Sequence, residues 1–448
     1  MRILLISPNI LKDPYPVYPI GLDYVAGAIP PEHEVRIADM QVVDREALTA
    51  LLEDFSPDVI GISCRNIDNT EAGDPHFFVN GYQSLIAWLR ERSSAVIVCG
   101  GSGFTIMPEQ IFAMLDVDYG IIGEGERFAL LIDALDNNRN PSDIPGVLAA
   151  NSPARLPPPW QGRQMRRFHH DAAHVPFYLQ NGGMLNLQTK RGCTFRCVYC
   201  PYPHIEGRNH RLAEPHEVAE TALLLQQAGA KYFFITDSAF NSDVRHSMAV
   251  AEALRAAGVS IPWGAFFAPI KLPSDYFAVM AEAGCRHVEF GTESLADSML
   301  KVYQKPFRAD DVFAAHKQAR TAGLHVAHYF LLGGPKESAA TVGECLDAIE
   351  QLKKSVFFFF IGIRIYPHTA LYDMALAEGK IDRDDNLLQP VFYEPDGIDR
   401  TTIEALVKER AAGRDNWVIG SGGVKAASII HTLHQRGFAG PLWEFLAR

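Results

Sequence analysis

The stretch LNLQTKRGCTFRCVYCPYP, residues 185–203, decides how the larger half of the chain is built. It begins as an apolar strand, and a glycine then ends the run ahead of Cys193, Cys197 and Cys200, a C-x3-C-x2-C spacing. Three thiols crowded on one tight loop point to a metal in a reducing compartment. An iron–sulfur cube normally takes four thiolates, so three leave one iron open to a small molecule. The competing readings are a structural zinc and unpaired core cysteines. Zinc normally takes four ligands from paired C-x2-C units, and no second pair exists here. Core cysteines rarely crowd beside groups such as Arg191 and Arg196. Cys64, Cys99, Cys285 and Cys345 stand singly, and an odd total of seven argues against a secreted disulfide framework.

Working outward, LNLQTKR (185–191) opens a series of six strand candidates. The others are KYFFITD (231–237), IPWGAFF (261–267), HVEFGTE (287–293), HVAHYFLLG (325–333) and FFFFIGIRIYP (357–367). Helical spacing at 213–229, 243–257, 273–283, 309–322 and 339–353 separates them. Alternation of this kind predicts a partial (β/α)6 barrel of TIM type over 181–375, with its active site at the carboxyl ends of the strands. A mostly helical region, 376–448, follows, with helices near 401–413 and 422–436.

Upstream, RILLIS (2–7), EVRIAD (34–39), DVIGIS (58–63), AVIVCGG (95–101) and VDYGIIG (117–123) are short apolar strands alternating with helices. They predict a Rossmann-like α/β domain over 1–150, a doubly wound parallel sheet that binds ligands beyond its carboxyl edge. No G-x-G-x-x-G opens the first helix, which weakens a nicotinamide reading. Residues 151–180, rich in proline and without a period, read as a linker.

The cysteine loop, with Tyr199 before the last cysteine, resembles the signature of the radical S-adenosylmethionine (SAM) superfamily. That resemblance implies a [4Fe–4S] cluster on Cys193, Cys197 and Cys200, with SAM chelated by the open iron and reductively cleaved to a 5′-deoxyadenosyl radical. It also implies a flavodoxin- or ferredoxin-like electron donor. Thr236, Asp237 and Ser238 stand where members often carry a Gly-Gly-Glu turn touching SAM, and turn capping is the alternative for Asp237. Glu293 resembles the carboxylate that members place on the SAM ribose. Its alternative is a structural pair with Lys or Arg, since a buried carboxylate needs partners. Arg364 is similar to a sixth-strand residue that would meet a carboxylate of SAM or substrate, with a structural ion pair as the alternative. His204, Glu206 and Arg208 are candidates to face substrate.

The first domain resembles the cobalamin-binding domain of one branch of that superfamily, the class B methyltransferase-like branch. Ser63, Gly100, Gly101, Ser102, Thr105, Gly123, Glu124 and Gly125, at its strand ends, are the implied cobalamin contacts. The D-x-H-x-x-G motif whose histidine would ligate cobalt is absent; Asp74-Pro75-His76 has Val79 in place of the glycine. The alternative is a domain that only supports the barrel. The branch implies methyl transfer to an unactivated carbon of a lipid or secondary metabolite. The rivals are a non-methylating radical rearrangement, ring contraction or carbon–carbon bond formation, and a cobalamin- or redox-sensing binding protein.

A formal charge of −12 argues against a broad grip on nucleic acid, leaving at most a local patch such as Arg163, Arg166 and Arg167. The longest apolar run, near 355–363, is shorter than the roughly 18 residues that span a bilayer. A cytoplasmic protein acting on a small molecule, with no transmembrane segment, is the expectation.

Overall fold

The computed structural model describes residues 1–150, 153–162, 164–420 and 423–447, excepting the side chains of 423–425. Asn151, Ser152, Arg163 and position 422, all of which figure in the sequence reading, lie outside the described residues. Two sheets carry the fold. The first holds β1 (Arg2–Ser7), β2 (Glu34–Asp39), β3 (Val59–Ser63), β4 (Val96–Gly100), β5 (Tyr119–Ile121) and β6 (Val147–Ala149) in the order β2-β1-β3-β4-β5-β6. Its central strands are buried on both faces, which is why RILLIS and VIGIS read as unbroken apolar runs. The strand order reverses between β1 and β3, and this switch point opens a crevice at their carboxyl ends. The all-parallel expectation fails at one edge, because β6 pairs antiparallel with β5. This three-residue strand is set by its pairing with β5, a contact that the local sequence does not announce.

From β7 (Met184–Leu187) the chain makes a ribbon of β8 (Lys190–Arg191) with β9 (Arg211–Leu212) that brackets the cysteine loop. It then lays down β10 (Tyr232–Ile235), β11 (Trp263–Phe267), β12 (Cys285–Glu293), β13 (His325–Leu332) and β14 (Ser355–Ile361). A second ribbon, β15 (Ile363–Arg364) with β16 (Phe392–Tyr393), precedes β17 (Trp417–Ile419). The second sheet is parallel throughout, in the order β17-β14-β13-β12-β11-β10-β7, an open barrel. The six expected strands are present, and β17 adds a seventh from a region read as mostly helical. Trp417 earns its place by stacking on Phe359, ring centroids 5.0 Å apart, a tertiary contact that local sequence does not announce.

The amino-terminal end of this barrel is closed by residues 440–446. Gly440 N–H donates to Gly182 O at 3.0 Å, Trp443 Nε1 donates to the buried Glu289 at 2.9 Å, and Glu444 lies 3.1 Å from His287 Nε2. The carboxyl end is left to face the first domain.

Four buried ion pairs join the two halves, and no side chain in them is more than 11% exposed: Asp23–Arg166, Glu124–Arg211, Glu126–Arg191 and Asp68–Arg364. The connecting strap also crosses the helix Ile20–Ala28 directly over Gly27, where an added Cβ would meet Met165 O at 1.9 Å. Of the arginines where a local basic patch was left open, Arg166 is buried against Asp23 and Arg167 donates to Ile29 O.

Removing one partner of a buried pair strands the other charge. Arg364→Met, which leaves Asp68 alone, is expected to destabilise by about 3–5 kcal/mol in urea unfolding followed by circular dichroism, with Asp68→Asn added to it recovering part of the loss. A pH effect is also expected. Burial pushes His174 and His316 from the usual 6.5 down to about 4, so both stay neutral in the fold and protonate on unfolding. Their contribution to stability is full above pH 6.5 and is lost as pH falls toward 4, which urea midpoints at those two pH values would show.

Candidate active site

The cysteine loop sits at the carboxyl end of the barrel. Gly192 opens it with φ +86°, and a Cβ there would meet Asn209 O at 2.2 Å, so only glycine fits. Glu206 accepts from Gly192 N–H at 3.0 Å and Gly207 O from Cys193 N–H at 3.1 Å. Val198 N–H donates to Tyr303 O at 3.2 Å, while Val198 O accepts from Leu371 N–H at 2.8 Å. The backbone of the loop is thus fixed by groups far away in sequence.

Cys193 is buried and Cys197 and Cys200 are half-buried, all as free thiols. Burial pushes Cys197 up and Cys200 up to about 12, and in each case neighbouring thiols add to the rise. Among the described residues no three His, Cys, Asp or Glu side chains surround a metal-sized point. Cys197 and Cys200 line a cavity of about 290 Å³ with Arg196, Arg208 and His368. The remaining cysteines, Cys64, Cys99, Cys285 and Cys345, are buried in the packed cores. A soft donor set of three thiols and no fourth fits a [4Fe–4S] cluster with one open iron.

Glu293 ends β12 at a bulge, where the register with β13 shifts, and has φ +56°, costly for a residue with a side chain. That backbone turns its carboxylate toward the cysteine loop. Tyr199 Oη donates to Oε1 at 2.5 Å, and Lys305 Nζ lies 3.0 Å from Oε2 and 3.5 Å from Cys197 Sγ. Burial alone would lower the Lys305 ammonium, but Glu293 and Cys197 outweigh it and hold the group above its ordinary value. Sequence reasoning missed Lys305, which carries no motif and stands in a turn after the helix Asp297–Val302.

The other candidates divide. Thr236 lines the cavity between the domains. Asp237 is fully buried and accepts from Thr189 N–H at 2.8 Å, Thr189 Oγ1 at 2.6 Å and Lys190 Nζ at 3.1 Å, so its oxygens are committed to holding the end of β7. Ser238 Oγ is 3.5 Å from Gly192 O. Arg364 gives Nε to Asp68 at 2.9 Å and its terminal nitrogens to Ile365 O and Leu387 O, so its charge is spent in the domain seam and not on a ligand. His204 stacks on His368 at 4.2 Å, and Glu206 caps the loop as described.

The larger cavity, about 780 Å³, lies over the switch point of the first sheet. Ser63, Gly100, Gly101, Ser102, Gly123, Glu124 and Gly125 all line it, as do Gln188, Arg191, Tyr202 and Thr236 from the barrel. Its volume is that of a site for a large ligand. A Cβ at Gly21 or Gly81, also in the lining, would meet nothing within 4 Å, so these walls open directly onto empty space. Two expectations change here. Thr105 is fully buried, donates to Gly101 O at 3.0 Å and accepts from Gly123 N–H at 2.9 Å, so it shapes the strand ends instead of reaching a ligand. Glu124 accepts from Trp160 N–H at 2.7 Å and pairs with Arg211, which makes it a clamp as well as a wall. Among the described lining residues there is no histidine, in keeping with the missing D-x-H-x-x-G motif.

Residues 187–349 match the family model of the radical SAM superfamily, and residues 6–132 match that of the B12 binding domain. The chain is a radical SAM enzyme that carries a B12-binding domain. Its cofactors are accordingly a [4Fe–4S] cluster, SAM and cobalamin. The tryptophan 2-C-methyltransferase of Streptomyces laurentii is 24% identical, over 82% of this chain and 73% of that protein. The cytidylyl-2-hydroxyethylphosphonate methyltransferase of Streptomyces wedmorensis is 24% identical, over 88% and 85%. The structure of the radical SAM methyltransferase TsrM from Kitasatospora setae, with tryptophan and a SAM analogue bound, superposes with a TM-score of 0.88 at 21% identity. The superposition covers 100% of this chain and 98% of that one, so the fold is shared across both domains. Among the described residues, no helix is long and apolar enough to cross a membrane.

Alanine at Cys193, Cys197 or Cys200 is expected to abolish the iron–sulfur absorbance of anaerobically reconstituted protein, whereas Cys345→Ala, in the core, should keep it. A fully loaded single variant of the loop would remove the cluster assignment.

Proposed function

We propose that the chain is a cobalamin-dependent methyltransferase that acts on an unactivated carbon of a lipid or secondary metabolite. The observation that carries this reading is the shared cavity: Ser63 and Gly101 of one domain and Gln188 and Thr236 of the other line the same space. A cofactor seated there lies against the barrel end that bears the cysteine loop. When bound, the cluster with SAM supplies one-electron cleavage, and cobalamin supplies a transferable methyl group. The chain's own residues do the rest. Cys193, Cys197 and Cys200 would hold the cluster, with Tyr199, Glu293 and Lys305 packed against it. Asp237 and Lys190 brace the loop from below.

The barrel lumen supports an apolar carbon skeleton as substrate. Trp263, Ala265 and Phe267 of β11 face the outer core, so Phe266 faces inward, where it is 38% exposed. It meets Phe234 at 5.2 Å and Tyr329 at 5.8 Å, edge to face, and Tyr329 stacks on Phe358 at 4.8 Å. The relatives' names, with tryptophan in one and a cytidylyl phosphonate in another, are in keeping with a small-molecule substrate.

Anaerobic reconstitution with iron, sulfide and hydroxocobalamin, followed by desalting, should leave a near-stoichiometric corrinoid band beside the iron–sulfur absorbance. With reductant and methyl-labelled SAM, cell extract should then yield S-adenosylhomocysteine and a labelled small molecule. Deoxyadenosine without S-adenosylhomocysteine would instead mark a non-methylating radical reaction, and neither product would mark a binding protein.

A further inference from the structure

We propose that Lys305 is a positioning residue that sets the reduction potential of the cluster, by holding a buried ammonium against the sulfur of Cys197. The proposal rests on the cluster assignment and not on methyl transfer. Lys305 Nζ lies 3.5 Å from Cys197 Sγ, within range of an N–H···S hydrogen bond, and its side chain is 7% exposed. Water therefore screens the contact little. The ammonium is also held by Glu293 Oε2 at 3.0 Å and Tyr199 Oη at 3.4 Å. The ammonium also lies over the Phe307 ring, 5.3 Å from its centroid. A lysine present only to neutralise Glu293 could do so from any side of the carboxylate. This one lies where it also reaches a ligand sulfur.

The sign follows from charge. Reduction adds an electron to the cluster, and a cation beside a ligand sulfur stabilises the reduced form. Cluster potentials respond to net charge, to hydrogen bonds on the sulfurs and to exposure. The ammonium contacts the sulfur directly, and Glu293 holds it there. Removing the lysine deletes the nearer cation and leaves the carboxylate uncompensated, and both changes disfavour reduction. Because SAM cleavage begins with that electron, the residue would decide how strong a donor the enzyme needs.

The test is a redox titration of reconstituted full-length enzyme, with the reduced cluster followed by electron paramagnetic resonance. Lys305→Met should lower the ratio of reduced to oxidised cluster at a fixed potential about tenfold, a midpoint about 59 mV more negative for one electron. Lys305→Arg should restore most of it. If the uncompensated Glu293 costs Lys305→Met its iron, the double variant Lys305→Met/Glu293→Gln carries the test, and its midpoint should still fall below that of the natural protein. A fully loaded variant with an unchanged midpoint would overturn the proposal, reducing Lys305 to a structural partner of Glu293. An unchanged midpoint with weakened SAM binding would overturn it too, and would move the ammonium's role to SAM. A natural enzyme with no cluster signal at all would mean that the cluster assignment itself had failed.

Discussion

Four carboxylates of the first domain, each buried against an arginine of the strap or barrel, are the constraint on which the rest of the structure depends. The polarity is the same in every pair: the acid comes from the B12-binding domain and the guanidinium from the other half. Such pairs gain little over well-packed apolar groups, but they penalise any arrangement that leaves one charge buried alone. Their main effect is therefore on geometry. Asp68 and Arg364 join the loop after β3 to the ribbon after β14, while Glu124 and Glu126, next to Gly123 and Gly125, grip Arg211 and Arg191 on the ribbon that brackets the cysteines. The cavity wall and the metal loop are held by adjacent residues, so the distance between them is set by short, directional contacts.

Buried ion pairs of this kind also explain why the sequence left two site candidates open between a ligand and a structural role. Asp237 and Arg364 are charged residues at strand ends of a barrel, where ligand-binding groups belong. The sequence cannot say whether such a charge faces a ligand or a partner distant in the chain. Arg364 meets an aspartate 296 positions away, and Asp237 meets Lys190 across 47. Lys305 is the converse case. It reads as an ordinary turn lysine until folding brings it to Cys197, 108 residues earlier.

What the sequence did disclose has a common physical basis. Most of the parallel strands are buried and show as apolar runs, and eleven parallel strands could be placed in advance. The cysteine loop is local, with its spacing and its glycine written in consecutive residues. Seven of the eight strand-end residues expected to face a cofactor in the first domain line the large cavity, Thr105 being the exception, because the carboxyl edge of a doubly wound sheet is fixed by topology. Among the strands that escaped, β6 and β17 of the two large sheets are three residues each, and β9 and β16 of the ribbons two, and all owe their existence to a neighbour already in place.

The cavity over the first sheet has walls from both halves of the molecule, and this gives its occupant a second role. A ligand that touches both domains contributes its binding free energy to their docking as well as to its own retention. Cofactor and seam then behave as one cooperative unit, in which loading the site also tightens the docking of the domains. Such a prosthetic group would be carried through many turnovers, while smaller molecules came and went at the barrel mouth.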